Sequence, residues 1–226
     1  MSIWSRIAEA VAAVGDSITA YFSGAAAHAP EKSVAFTIGM IALSAKMAKA
    51  DGVVTVDEIE AFKRIFVIAP EDLANVARLF NLAKQDVAGF DAYARRIASL
   101  FRRKPKLLED VLDGLFHVAK ADGVVHEREL AFLMTVSDIF GYSGGDFDRI
   151  RARHVSLPQA NPYVVLGLEP SAADDALKKA YRKLVRDNHP DRHMAAGMPA
   201  EAVKIATDRL ARINAAYDAV ARERGL

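Results

Sequence analysis

The 226-residue chain contains no cysteine, which excludes disulfides, thiolate metal sites and cysteine nucleophiles. Charge of one sign is also lacking: 30 Lys and Arg nearly cancel 29 Asp and Glu, for a formal charge of +1. Such a balance gives no global attraction to nucleic acid or anionic lipid, so any basic surface has to be local. Long apolar runs are missing as well. The longest uncharged stretches, residues 17–30 and 33–45, are too short to cross a bilayer as a helix. Glu9 and Asp16 interrupt what would have to be the apolar centre of a secretory signal. There is no phosphate-binding glycine loop and no recognisable serine-histidine-acid arrangement, so an enzyme in its own right is not expected. The cytoplasm is the expected location.

What is present is a chain rich enough in apolar residues, 52% against 26% charged, to fold throughout. Apolar residues recur at spacings of three and four and no stretch alternates, which predicts an all-α protein. Ile3, Trp4, Ile7, Val11, Val14, Ile18, Tyr21 and Phe22 give the first segment a broad apolar helical face. Arg6 is its only strong cation, so packing on protein is favoured over a peripheral contact with the inner membrane. Thr55 with Glu58 predicts a capping box, Ser171 with Asp174 a second, and Pro70, Pro105 and Pro199 suit helix starts. Ser143-Gly144-Gly145 reads as a break between helices.

Residues 48–54 recur letter for letter as 119–125, Ala-Lys-Ala-Asp-Gly-Val-Val in each copy, and Glu58 and Glu129 then follow at matching distance. A helix, a glycine turn and another helix therefore occur twice, which predicts a pseudo-symmetric bundle. Each glycine can supply left-handed backbone geometry, with the paired valines dipping into the core. Asp51, Glu58, Asp122 and Glu129 converge if the two turns sit side by side, and four carboxylates suit a hard divalent cation. The plainer reading is that each Asp stabilises its turn and each Glu caps the next helix. An EF-hand is excluded because Gly52 and Gly123 directly follow the Asp. These turns resemble the TerB family, named for tellurite resistance. That resemblance implies a helical bundle over residues 33–156 with a metal-binding or protein-interaction role, preceded by a helix and connector over 1–32.

Residues 155–161 read as a linker, and the pattern changes beyond it. Asn161-Pro162-Tyr163 opens a segment in which a basic helix through Lys178, Lys179, Tyr181, Arg182, Lys183 and Arg186 leads to His189-Pro190-Asp191. Leu177, Ala180 and Leu184 mark an apolar face of that helix, while Lys178, Arg182 and Arg186 line another. Val203, Leu210, Ile213, Tyr217 and Val220 mark a second long helix able to pack back on the first. Pro190 stiffens the tip of this hairpin and disfavours helix at His189, so His189 and Asp191 are presented with little conformational freedom. Because the linker carries few large apolar residues and each side has its own periodic pattern, the bundle is expected to fold without the hairpin.

Residues 157–226 resemble a J domain. That resemblance implies a DnaK-type ATP-dependent chaperone as partner, docked through Lys178, Tyr181, Arg182, Lys183, His189, Pro190, Asp191 and Arg192, with Arg186 a neighbouring candidate. Hydrolysis would occur in the partner, and no cofactor is required beyond the candidate divalent metal in the bundle. A TerB-like bundle followed by a J domain resembles the DjlA group of bacterial J proteins. A membrane-spanning helix is expected at the front of that group, and only the 3–22 segment stands there. With no cysteine-rich module, targeting or regulation of the chaperone through the bundle fits better than general client binding. The alternative is a metal-binding or stress-response interaction module of the TerB type. Nucleic acid ranks last as a partner, since the basic helix lacks interleaved exposed aromatics.

Overall fold

A computed structural model of the chain describes residues 3–12, 32–51, 63, 65–66, 68–85, 89–102, 104–121, 123–154 and 160–226. Its helices are α1 (Ile3–Ala12), α2 (Lys32–Asp51), α3 (Leu73–Gln85), α4 (Phe90–Phe101), α5 (Pro105–Ala119), α6 (Glu127–Phe140), α7 (Gly144–His154), α8 (Pro162–Leu166), α9 (Asp174–Asp187), α10 (Asp191–Ala195) and α11 (Ala200–Arg224). A 3₁₀ turn, Pro70–Asp72, precedes α3. There is no strand among the described residues, as the helical periodicity predicts.

A helix that is apolar on every side belongs in the middle of a bundle, and α2 is that helix. Val34, Phe36, Ile38, Met40, Ile41, Leu43 and Met47 are all buried, and α1, α3, α4, α5 and α6 pack around them. No helix among the described residues is long and apolar enough to cross a membrane. The face of α1 rests on protein: Trp4 and Ile7 are buried, and Trp4 meets Phe66 edge-on at 6.0 Å. Pro70 and Pro105 occupy first-turn positions, where a missing N–H costs nothing.

Of the two repeated turns, the first, with Thr55 and Glu58, lies outside the described residues. In the second, Gly123 has φ +99°, the left-handed region that favours glycine. The expectation for the valine pair needs correcting here. Val125 packs against the core, but Val124 is 62% exposed, so only one of the pair dips inward. The break near Ser143 also moves. Gly144 and Gly145 lie inside α7, and Ser143 caps it: its Oγ accepts from the Asp146 N–H at 3.2 Å, and its own N–H donates to the Asp146 carboxylate at 3.2 Å. At α9 the capping residue is Ala173, without a side-chain bond, so Ser171 forms no box; Asp174 instead pairs with Arg224 at 2.9 Å.

Helices α9 and α11 form an antiparallel hairpin around a small core of Leu177, Ile213, Ala216 and Val220, closed by Tyr163, Val165 and Leu166 of α8. The expectation that bundle and hairpin keep separate cores is corrected by the structure. Met198, just before α11, and Ala202 and Ile205 in its first turns belong to the bundle's own cluster. Gly114 of α5 permits this approach: a Cβ there would stand 3.1 Å from Ile205 Cδ1 and collide with Met40. Burying a side chain the size of Ile205 contributes roughly 2 kcal/mol. The bundle alone would return that surface to water.

Candidate functional site

The turn between α9 and α10 carries the His-Pro-Asp triplet. Helix α9 stops at Asp187 and Pro190 adopts φ −61°, immediately before α10. His189 and Asp191 are exposed, with side chains 46% and 69% accessible. They are nonetheless held side by side: His189 Nδ1 accepts from the Asp191 N–H at 3.3 Å, and the Asp191 carboxylate lies 3.4 Å from the same nitrogen. A hydrogen-bonded pair on a proline-stiffened turn loses little entropy when a partner binds.

Beside the turn lies the basic face of α9. Lys178, Arg182, Lys183, Arg186 and Arg192 are all exposed. They are not equally available. Asp187 draws Lys183 to 3.3 Å, Arg186 to 3.5 Å and Arg192 to 3.8 Å. Desolvation works against its charged form, but Lys183 and Arg186 outweigh it and hold the Asp187 carboxyl below the usual range. Lys178 and Arg182 stand clear of that acid; Arg182 reaches only the Lys178 carbonyl, at 3.2 Å. Tyr181 is half-buried, stacked on Tyr217 with ring centroids 4.0 Å apart, and its hydroxyl donates to Asn214 Oδ1 at 3.1 Å. Its ring thus contributes to the hairpin core.

Behind the exposed turn is a buried ionic network that spacing did not reveal. Asn188 is 1% exposed. Its amide donates to the Leu184 carbonyl at 2.7 Å, and its oxygen accepts from Lys106 at 3.3 Å and Arg209 at 3.2 Å. His193, also buried, meets Asp110 Oδ2 through Nε2 at 2.5 Å. Arg209 bridges Asp110 and Asp113, reaching the latter at 2.5 Å. Arg153 bonds Glu109 at 2.9 Å and Asp113 at 3.1 Å, and His154 bonds Asp113 at 2.7 Å while stacking on Phe116. The acids come from α5; the cations come from both sides of the sequence boundary.

The charges in this network are mutually determined. Burial would raise the Glu109 pKa, but Arg209, Arg153 and Lys106 outweigh it and lower it to about 2. Burial also opposes ionisation of Asp113, and Arg153 with Arg209 again prevails, holding it well below the usual carboxylate range. For His154 burial wins over its bond to Asp113 and lowers the pKa to about 4. Tyr142, whose hydroxyl donates to the Pro105 carbonyl at 2.6 Å, is raised by burial and by nearby Glu109.

A sequence signal for this network did exist. Buried positions of α11 fall at 201, 202, 205, 206, 209, 213, 216 and 220, a helical stripe on which Arg209 is the one charge beyond the first turn, where Glu201 stands. Glu109 and Asp113 likewise share a face of α5, and both are buried, as is Asp110. A charge in line with a core stripe asks for a buried partner.

Of the four candidate metal ligands, only the side chain of Glu129 falls among those described. It is buried, and its carboxylate accepts from the His126 N–H at 2.9 Å, the capping contact at the start of α6. The Asp51 side chain, Glu58 and Asp122 lie outside the described residues. Among those described, no three His, Asp or Glu side chains are gathered as a metal site would need.

An exposed His-Pro-Asp turn on a helical hairpin, seated on an α-helical bundle, defines a J-domain protein with a TerB-type domain in front. Residues 37–152 match the family described as tellurite resistance protein TerB, and residues 161–224 match the DnaJ domain. Relatives described as co-chaperone protein DjlA include that of Coxiella burnetii, 30% identical over 80% of this chain and 74% of the relative. Those of Photobacterium profundum and Shewanella oneidensis are each 27% identical, over 88% and 92% of this chain and 81% and 85% of the relatives. No solved structure gives a significant match. The chain belongs to the DjlA family of co-chaperones, with the TerB and DnaJ domains in that order.

Proposed function

We propose that this co-chaperone stimulates ATP hydrolysis by a DnaK-type chaperone, through the His-Pro-Asp turn and the basic face of α9, and that it acts from the cytoplasm. One observation carries the reading: His189 and Asp191 are exposed, paired and stiffened beside a cationic surface, which is the form of a recognition device. Lys178, Arg182, Lys183, Arg186 and Arg192 steer an acidic surface of the chaperone toward the turn, where His189, Pro190 and Asp191 make contact. The chain contributes contacts and no chemistry of its own. The bundle supplies targeting or regulation, and a client is selected there or by the chaperone. The reading requires no cofactor. A divalent cation at Asp51, Glu58, Asp122 and Glu129 is the alternative, and the capping contact made by Glu129 favours the structural role.

Single-turnover ATP hydrolysis by a cognate DnaK-type chaperone tests the reading. The full-length protein should accelerate it, and His189→Gln or Asp191→Asn should abolish the acceleration while both variants remain folded. An unchanged rate with the unmodified protein, at low salt and saturating concentration, would overturn the proposal.

A further inference from the structure

The turn that faces the partner is six residues long if its flanks are included, from Asn188 to His193. Its middle is exposed, and its two end side chains are buried. Both ends reach the bundle. Asn188 accepts from Lys106 of α5, and His193 meets Asp110 of the same helix one turn further on. A single guanidinium closes the circuit, because Arg209 donates to Asn188 at one end and to Asp110 at the other.

Asn188 keeps a bond to Leu184 within the hairpin, but Arg209, its other hairpin partner, is itself held by Asp110 and Asp113 of α5, so the bonds from Lys106 and Arg209 both depend on the bundle. His193 depends on it more completely. Asp110 is the acceptor opposite its Nε2, its Nδ1 has no hydrogen-bond partner, and burial denies it ready access to water. Removing the Asp110 carboxylate leaves a buried polar ring without that acceptor, which favours a different position for the start of α10. Asp191 is the first residue of α10 and His193 the third, so any such shift moves the contacting carboxylate directly. A cleft of about 370 Å³ lined by Lys104, Lys106, Leu107, Arg192, His193 and Met198 lies alongside, so the seam between α5 and the turn opens to the same surface.

We propose that α5 of the TerB-type bundle is a positioning element of the J-domain turn, with Asp110 and Lys106 as positioning residues that fix its two flanks. The bundle thereby sets how effective the turn is once a partner has docked. The inference rests on the co-chaperone reading for its functional consequence, but its structural content stands apart.

The test uses the full-length chain and separates docking from stimulation. Maximal acceleration of the chaperone's single-turnover hydrolysis and the half-saturating co-chaperone concentration are measured for Asp110→Ala, Asp110→Asn and Lys106→Met. Asp110→Ala should lower maximal acceleration by about tenfold and move half-saturation by less than about threefold, as expected for lost positioning rather than lost binding. Asp110→Asn keeps an acceptor and should recover much of the loss. Charge reversal at Lys178 and Arg182 should show the opposite split. A folded Asp110→Ala with unaltered maximal acceleration, or a loss removed by raising its concentration, would overturn the proposal. Should Asp110→Ala not fold, Lys106→Met reads the other flank from a half-exposed side chain, and unaltered maximal acceleration there overturns the claim for that flank. Amide exchange over residues 188–193 keeps the two readings distinguishable. It should quicken in Asp110→Ala or Lys106→Met even if the unmodified protein accelerates nothing, and unchanged exchange would refute the clamp alone.

Discussion

Two histidines four residues apart, His189 and His193, sit in opposite surroundings, each beside an aspartate. His189 and Asp191 face water and touch little besides each other. His193 and Asp110 are buried and tied to Arg209. In the proposed function the same chemistry serves recognition in one place, and it serves architecture four residues later. An exposed contact of this kind contributes little to stability, typically below about 1 kcal/mol, so it can be lost or remade when a partner arrives. A buried pair cannot be broken so cheaply, because the charge left behind has neither water nor partner.

The sharpest way to break the comparison is to remove the central cation. Arg209→Met keeps most of the volume but leaves Asp110 and Asp113 without the guanidinium they share. Burial alone would lower the Arg209 pKa; the three α5 acids more than reverse that and raise it, a measure of how firmly the group is held. Unfolding by denaturant should show a loss of roughly 3–5 kcal/mol, the usual cost of breaking one side of a buried pair. A loss below about 1 kcal/mol would mean that the acids protonate or find water readily, and the network would then be a weak fastening.

Acid probes the same network without mutation. In the fold the His154 pKa falls from 6.5 to about 4, so the unfolded chain takes up the proton first. Stability should therefore be flat above about pH 6.5 and decline between there and pH 4, by on the order of 3 kcal/mol in all. Glu109 adds to the loss at lower pH: its depressed pKa stabilises the fold above its ordinary value of 4.5, and that contribution disappears as pH falls through about 2. Denaturant unfolding at a series of pH values should show the upper decline in the unmodified protein and much less of it in His154→Gln. An equally steep profile in the variant would assign the decline to other groups.

The two regions also differ in how much of them could be read from sequence. His189, Pro190 and Asp191 are contiguous and the basic face repeats every four residues on one helix, so local pattern carried the turn and its surroundings. The helical class and the repeat were legible for the same reason. The network was not, because Asp110 and Arg209 are 99 positions apart: a charge in line with a core stripe signals a buried partner without saying which residue supplies it. The same distance hid the sharing of cores. Met198, Ala202 and Ile205 look like hairpin residues until α5 lies beside them. Local spacing reports which face of a helix is apolar; it does not report which neighbour covers it.

The smallest effect on stability, and the most discriminating among the basic residues, should come from the exposed face of α9. Substitutions away from buried partners usually change stability by no more than about half a kcal/mol, so Lys178→Glu and Arg182→Glu should leave the melting temperature nearly unchanged. Their effect belongs to encounter. Charges on an open surface act through a field that salt screens within about 8–10 Å, and they alter association rate more than dissociation. Lys183 and Arg186 are already drawn toward Asp187, which cancels part of their field; Lys178 and Arg182 stand clear of it. Stopped-flow association with the chaperone should therefore be slowed more by reversal at Lys178 and Arg182 than at Lys183 and Arg186, with a flatter dependence on ionic strength. Adding Asp187→Asn to the unmodified chain should raise the low-salt association rate, since it frees the cations that Asp187 holds. Equal slowing at all four positions, with no gain from Asp187→Asn, would show that total charge governs encounter and that the arrangement around Asp187 is incidental.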